Sequence, residues 1–155
     1  MPLSRLTDFL DSHHVKYVVI KHSQAYTTQE VAASAHIPGK NMAKTVMMNI
    51  DGGMKMVVLP STHQVDFKQI KKALDAEDVK LASEEEFEGF FPDCEVGAMP
   101  PFGNLYDLGT IVADRLSEDE EIAFNAGTHR EIVKMAYDDF EELVQPKIIP
   151  LGVRV

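Results

Sequence analysis

The sequence predicts a mixed α/β (α+β) fold, a largely antiparallel, twisted β-sheet of mixed direction flanked by helices. Three observations predict it. Helix-like and strand-like segments alternate along the chain, at least two pairs of strands are joined tightly enough to be antiparallel hairpins, and 155 residues with 45% hydrophobic content suffice for one compact core. The expected organisation is a single domain over residues 1–155, with its core over about 3–145 and a tail at 146–155. No internal repeat, low-complexity tract or long linker divides it.

Leu3, Leu6, Phe9 and Leu10 recur at helical spacing and predict an N-terminal helix. Tyr17-Val18-Val19-Ile20 reads as a short strand. Thr27 and Glu30 form a capping box for a helix that Pro38-Gly39 ends after His36. Met42–Ile50 and Lys55–Leu59 flank Asp51-Gly52-Gly53 and predict a hairpin. Asp66 can cap a helix to Leu74, with Phe67, Ile70 and Leu74 as its apolar stripe. Val79–Leu81 is a brief strand, and Ser83 with Glu86 opens another helix. Glu95 and Val96 read as a strand end entering a loop through Gly103. Strands follow at Thr110–Ala113, Glu121–Asn125 and Arg130–Ala136, then a helix at Asp138–Val144.

Acidic residues outnumber basic ones, giving a formal net charge of −10. That balance opposes broad, sequence-independent nucleic-acid binding, so no DNA partner is expected. A local basic site remains open to one RNA end, because Lys40 with Lys44, and Lys68 with Lys71 and Lys72, are clustered. No stretch approaches the roughly 18 apolar residues of a membrane span, and Met1–Arg5 lacks the apolar segment of a signal peptide. A cytoplasmic protein without a membrane partner is the expectation. Cys94 is the sole cysteine and the six histidines lack metal-ligand spacing, so no metal is expected. P-loop, dinucleotide and nucleophile-elbow signatures are missing, and no cofactor is expected.

Lys44 stands out within Met42-Ala43-Lys44-Thr45-Val46-Met47-Met48. Strand alternation sets it on one face with Met42, Val46 and Met48, and Ala43, Thr45 and Met47 on the other. A buried ammonium needs an anion; a lysine at a strand edge reaches solvent instead. Both readings fit this segment. Gly97-Ala98-Met99-Pro100-Pro101-Phe102-Gly103 is the second distinctive stretch. Two prolines stiffen it and leave N–H donors at Gly97, Ala98 and Met99 that could orient a water or an oxyanion, although a plain surface turn fits as well. His129, beside Gly127 and Thr128, falls at a hairpin tip, there either to meet a ligand or to sit exposed. Tyr26-Thr27-Thr28 precedes a helix N-terminus that favours anions, while capping alone explains the threonines.

Together these segments resemble the YbaK family of aminoacyl-tRNA deacylases, related to the editing domain inserted in bacterial prolyl-tRNA synthetases. Ala43-Lys44-Thr45-Val46 is similar to the family's lysine strand, and Gly97 to Gly103 to its Gly-x-x-x-Pro loop with a following glycine. Phe124-Asn125-Ala126-Gly127 and Asp138-Asp139-Phe140 continue the pattern, in order, from about residue 3 to about 145. The resemblance implies a trans-editing enzyme that hydrolyses the ester of a mischarged tRNA, with alanine or cysteine on proline tRNA as leading substrates. It implies catalytic roles for Lys44, Gly97 and Pro101, and substrate contacts from Tyr26, Thr45, Ala98, Met99, Gly127 and His129. The implied partner is the tRNA acceptor 3′ end, with a synthetase as an additional one. Two alternatives stand beside it: a catalytically silent anion- or protein-binding module on the same fold, and a hydrolase of another small ester.

Overall fold

The computed structural model describes residues 3–22, 32 and 37–154. The helix expected at 27–36 and the candidate Tyr26 lie outside the described residues, apart from Ala32, which is helical. Element numbers below run along the described residues.

Helix α1 (Ser4–Ser12) buries Leu6 and Leu10. Strand β1 (Tyr17–Lys21) follows. Strands β2 (Ala43–Ile50) and β3 (Gly53–Pro60) form the expected hairpin. Its turn residues Asp51 and Gly52 both have positive φ, 49° and 81°, the twist-matched geometry of a two-residue connection. Asp51 Oδ1 also accepts from Glu77 and Asp78 N–H at 3.0 and 2.8 Å, tying the turn to the strand that comes later. After β4 (His63–Val65), helix α2 (Phe67–Leu74) starts where Asp66 accepts from Lys68 and Gln69 N–H. Strand β5 (Val79–Leu81) leads to α3 (Glu84–Phe87), which opens with the reciprocal Ser83–Glu86 capping box. Strands β6 (Gly109–Ala113), β7 (Glu121–Asn125) and β8 (Glu131–Ala136) precede α4 (Tyr137–Val144). The chain then adds β9 (Lys147–Ile149) and β10 (Gly152–Arg154).

The fold is mixed α/β with mostly antiparallel pairing, but the strands divide among three sheets where one was expected. The largest has the order β5-β2-β3-β6-β9, with β6 parallel to both its neighbours. A second, fully antiparallel, has the order β1-β8-β7, and β10 pairs with β4 in the third. The two larger sheets meet at a parallel bridge between Met42 and Ala123.

The main core lies on one side of this joined layer. It contains Leu6 and Leu10 from α1, Met47 and Val58 from the hairpin, Phe102, Phe124 and Phe140. On the other side, α2 and the C-terminal strands cover the hairpin with a cluster that includes Met48, Val57, Leu59, Ile70, Ile149 and Leu151. A small third cluster joins Ala32, Met42, Ala123 and Ile132.

One local expectation is corrected. Glu95 and Val96 form no strand; the segment turns, with Ala98 N–H donating to Glu95 O at 3.0 Å. A short acidic and cysteine-bearing stretch lacks the alternation that would pair it with a neighbour. Residues 146–154, read as a tail, pack on the core of their own domain. Ile149 and Leu151 are buried in the second cluster, and Asp66 N–H donates to Leu151 O at 2.8 Å. Pro146 marked the start of the tail in the sequence, and Pro146 and Pro150 each stand shortly before a short strand. Leu151→Ala is therefore expected to lower stability by about 2–5 kcal/mol in urea unfolding, the range for truncating a buried leucine; a change below about 0.5 kcal/mol would mean that the segment is not part of the core.

Candidate functional site

Strands β2 and β7 touch at the Met42–Ala123 bridge and pair no further, so they splay apart beyond it. Two residues on come Lys44 in β2 and Asn125 in β7. Alternation returns both side chains to the face of Met42 and Ala123. Along β2 this face continues through Val46 and Met48 into the second cluster, whereas Met42 belongs to the third. Lys44 is thus the polar break between two apolar clusters, on the face read from its sequence.

Lys44 is half-buried. Burial lowers its ammonium pKa from the ordinary lysine value of 10.5. No described carboxylate lies within ion-pair distance of it. A partly desolvated cation without a protein counter-ion is suited to an incoming anion or a developing oxyanion. Thr45 faces the other way, with Ala43 and Met47 of the main core. The side chains of Lys44 and Thr45 therefore do not form one cluster.

The 97–103 loop is held more tightly than a surface turn. Gly97 has φ +86° and is exposed, while Ala98, Met99, Pro100, Pro101 and Phe102 are buried. All described peptide bonds, including those before both prolines, are trans. Phe102 plugs into the main core, its ring 5.4–5.5 Å from those of Phe140 and Phe124. The expectation of three available N–H donors is corrected. Ala98 N–H is committed to Glu95 O, and Gly97 N–H points at Met99 Sδ, 3.3 Å away. Met99 N–H finds no acceptor among the described residues. Local turn formation took the Ala98 donor, which proline stiffness alone could not foretell.

The β7–β8 turn locks onto this loop. Gly127 N–H donates to Ala98 O at 2.9 Å, and Gly127 O accepts from Glu95 N–H at 2.8 Å. Gly127 needs its small size here: φ is +92°, and an added Cβ would come 2.8 Å from Leu3 Cβ. His129 was expected at an exposed tip or on a ligand, but only 6% of it is accessible. Its backbone N–H donates to Glu95 Oε1 at 2.6 Å, and its Nε2 lies 2.8 Å from Val96 O. A carbonyl only accepts, so Nε2 carries the proton. The imidazole is thereby a brace between turn and loop, 3.6 Å from where a Cβ on Gly97 would sit. Glu95 was overlooked in the sequence. Its side chain and backbone each hold one end of the β7–β8 turn, a double role with no local signature.

Cys94 is half-buried, its thiol 3.3 Å from the Tyr106 hydroxyl, and burial chiefly pushes its pKa up to about 11. Burial thus favours the neutral thiol over the reactive thiolate at ordinary pH. Beside it, Arg5 Nε pairs with Asp93 at 3.0 Å and the guanidinium stacks over Tyr106. No group of three metal-ligating side chains occurs among the described residues.

A family model for the aminoacyl-tRNA editing domain matches residues 22–143. The chain belongs to that family. This membership supports an aminoacyl-tRNA deacylase. Among curated relatives, the proline–tRNA ligase of Geobacillus thermodenitrificans is 33% identical over 88 residues, 57% of this chain and 15% of the ligase. That of Bacillus mycoides is 31% identical over 86 residues, again 15% of its length. The chain thus matches only a small part of these ligases. Two solved structures share the fold across nearly the whole chain. A candidate trans-editing enzyme for prolyl tRNA synthetase has a TM-score of 0.81 at 18% identity, covering 97% of this chain and 96% of that one. The hypothetical protein APE2540 has a TM-score of 0.85 at 16% identity, covering 96% and 99%.

Within this editing domain, the structure gathers Glu95, Val96, Ala98, Gly127 and His129 into one hydrogen-bonded unit after β7, with Gly97 beside the His129 ring. Lys44 stands across the β2–β7 splay, with Asn125 on the same face. The brace is testable. His129→Ala is expected to cost about 1–3 kcal/mol of stability, because it leaves the Val96 carbonyl short of its donor. Thermal and urea unfolding measure this, and an unchanged stability would reject the bracing role.

Proposed function

We propose that this editing domain hydrolyses the ester between a wrongly attached amino acid and the tRNA 3′ end, acting in trans, with alanine or cysteine on proline tRNA as substrates. The observation that carries the reading is Lys44, a half-buried ammonium with lowered pKa and no described counter-ion. Family membership supports the reaction class, and the partial match to proline–tRNA ligases supports the choice of tRNA.

An aminoacyl ester is already reactive, so no strong protein nucleophile is required. Orienting water against the ester supplies much of the rate. Lys44 holds the terminal phosphate or stabilises charge on the ester oxygen in surroundings where a cation acts more strongly than in water. Met99 N–H is the loop donor available to the attacking water or the oxyanion. Gly97 and Pro101 act through loop shape: the glycine permits the turn, and the proline keeps the backbone rigid. Tyr26 remains a proposed contact of the tRNA end, while the Thr45 side chain, on the face opposite to Lys44, is not part of this proposal. Editing is needed because one methylene is worth only about 1–3 kcal/mol in a hydrophobic pocket, so synthetases misselect small substrates. An acidic protein binds free tRNA modestly, which favours contact limited to the acceptor end, with a synthetase as helper.

Lys44→Ala is expected to lower kcat/KM on mischarged tRNA by roughly 100-fold or more, the scale of losing one charge-stabilising group. Equal rates would remove Lys44 from the mechanism. Binding without hydrolysis by the wild type, across several mischarged tRNAs, would favour a silent binding module. The pH profile gives a second expectation. Lys44 acts protonated and its pKa is lowered, so activity should hold below that pKa and fall as pH rises through it, earlier than 10.5. Lys44→Arg, if active, should lose this alkaline limb, since a guanidinium stays charged.

A further inference from the structure

We propose that Asn125 is a substrate-positioning residue of this site, its side-chain oxygen accepting a hydrogen bond from the free ribose hydroxyl beside the ester. The inference rests on the editing reading above.

Asn125 is 7% accessible, and its Oδ1 is buried without any hydrogen-bond partner. Buried polar atoms are nearly always paired, so an orphan calls for an explanation. No described donor lies within hydrogen-bond distance of it. Ile132 faces it across the β7–β8 ladder, Ile20 faces Ile132 from β1, and Ala123 precedes it on the same face. A buried amide oxygen among such groups destabilises the fold unless something absent from the free protein meets it.

Its position indicates what that is. Asn125 and Lys44 are each two residues past the Met42–Ala123 bridge, on one face, where the strands part. One contributes an acceptor and the other a cation. An amide oxygen accepts only, so its partner must be a donor. The aminoacyl end of tRNA has two kinds, the α-ammonium and the ribose hydroxyl next to the ester. A second ammonium brought beside Lys44 in apolar surroundings would be repelled. The neutral hydroxyl is the better match, and DNA lacks it at the 2′ position.

The test uses non-hydrolysable analogues, a terminal adenosine with the amino acid joined by an amide at the 3′ position, with and without the 2′ hydroxyl. Binding is measured calorimetrically to the wild type, Asn125→Ala and Asn125→Ser. The wild type should favour the hydroxyl analogue by roughly 2–10-fold, the worth of one neutral hydrogen bond. Asn125→Ala should lose this preference and bind both analogues like the wild type binds the deoxy form. Asn125→Ser, with an acceptor on a shorter arm, should fall between and serves if the alanine variant does not fold. Melting temperature separates a structural role: removing an orphaned acceptor should leave it unchanged or raised. An unaltered hydroxyl preference in the variants, or a lowered melting temperature with unaltered binding, would overturn the proposal. If the wild type hydrolyses mischarged tRNA while this result appears, the editing reading stands and only the role of Asn125 falls.

Discussion

Phe102 is where the core and the site meet. Its ring is fully buried against Phe9, Phe124 and Phe140, which come from α1, β7 and α4. It is also the residue after Pro101 in the glycine-proline loop. Burying a phenylalanine contributes about 1.5–3 kcal/mol, and edge-on ring pairs add to that. The loop therefore takes its position from the packing of the molecule as a whole rather than from its own turns. Gly127 and Glu95 then align the β7–β8 turn to a loop already anchored.

The site combines two different kinds of order. One half is tied together: Ala98, Gly127, Glu95 and His129 are linked by backbone and side-chain hydrogen bonds. The other half is left wanting, with a desolvated ammonium at Lys44 and an orphaned amide oxygen at Asn125. A buried polar atom without a partner calls for an explanation, and a ligand donor is one. A loop fixed by its own hydrogen bonds costs little further ordering when a ligand binds.

Local chemistry made much of the fold legible in the sequence. Asp51-Gly52, Asp66, and Ser83 with Glu86 each act within a few residues, and each forms the structure its residue types favour. The face of Lys44 was legible for the same reason, since alternation along a strand needs no tertiary knowledge. What the sequence hid was set at long range. The division into separate sheets follows from β1 choosing β8, over one hundred residues away. Strands β9 and β10 are three residues each and gain their order only from β6 and β4. His129 looked like a turn residue because its neighbours are turn formers, while its burial depends on Glu95 and Val96 from another segment. Asn125 showed only as part of the Phe124-Asn125-Ala126-Gly127 pattern, because a missing partner can be seen only once the surroundings are known.

Helix α1 and the two last strands lie outside the span by which the family is recognised, residues 22–143. Yet Leu3 packs on Gly127 and receives its backbone tether from Ala126, Arg5 grips Asp93 just ahead of the loop, and Leu151 closes the cluster behind Leu59. The unit that folds is thus larger than the unit that heredity makes visible. Grafting the recognisable span alone into another protein would transplant the cleft without its scaffolding, and the host would have to supply substitutes for both missing ends.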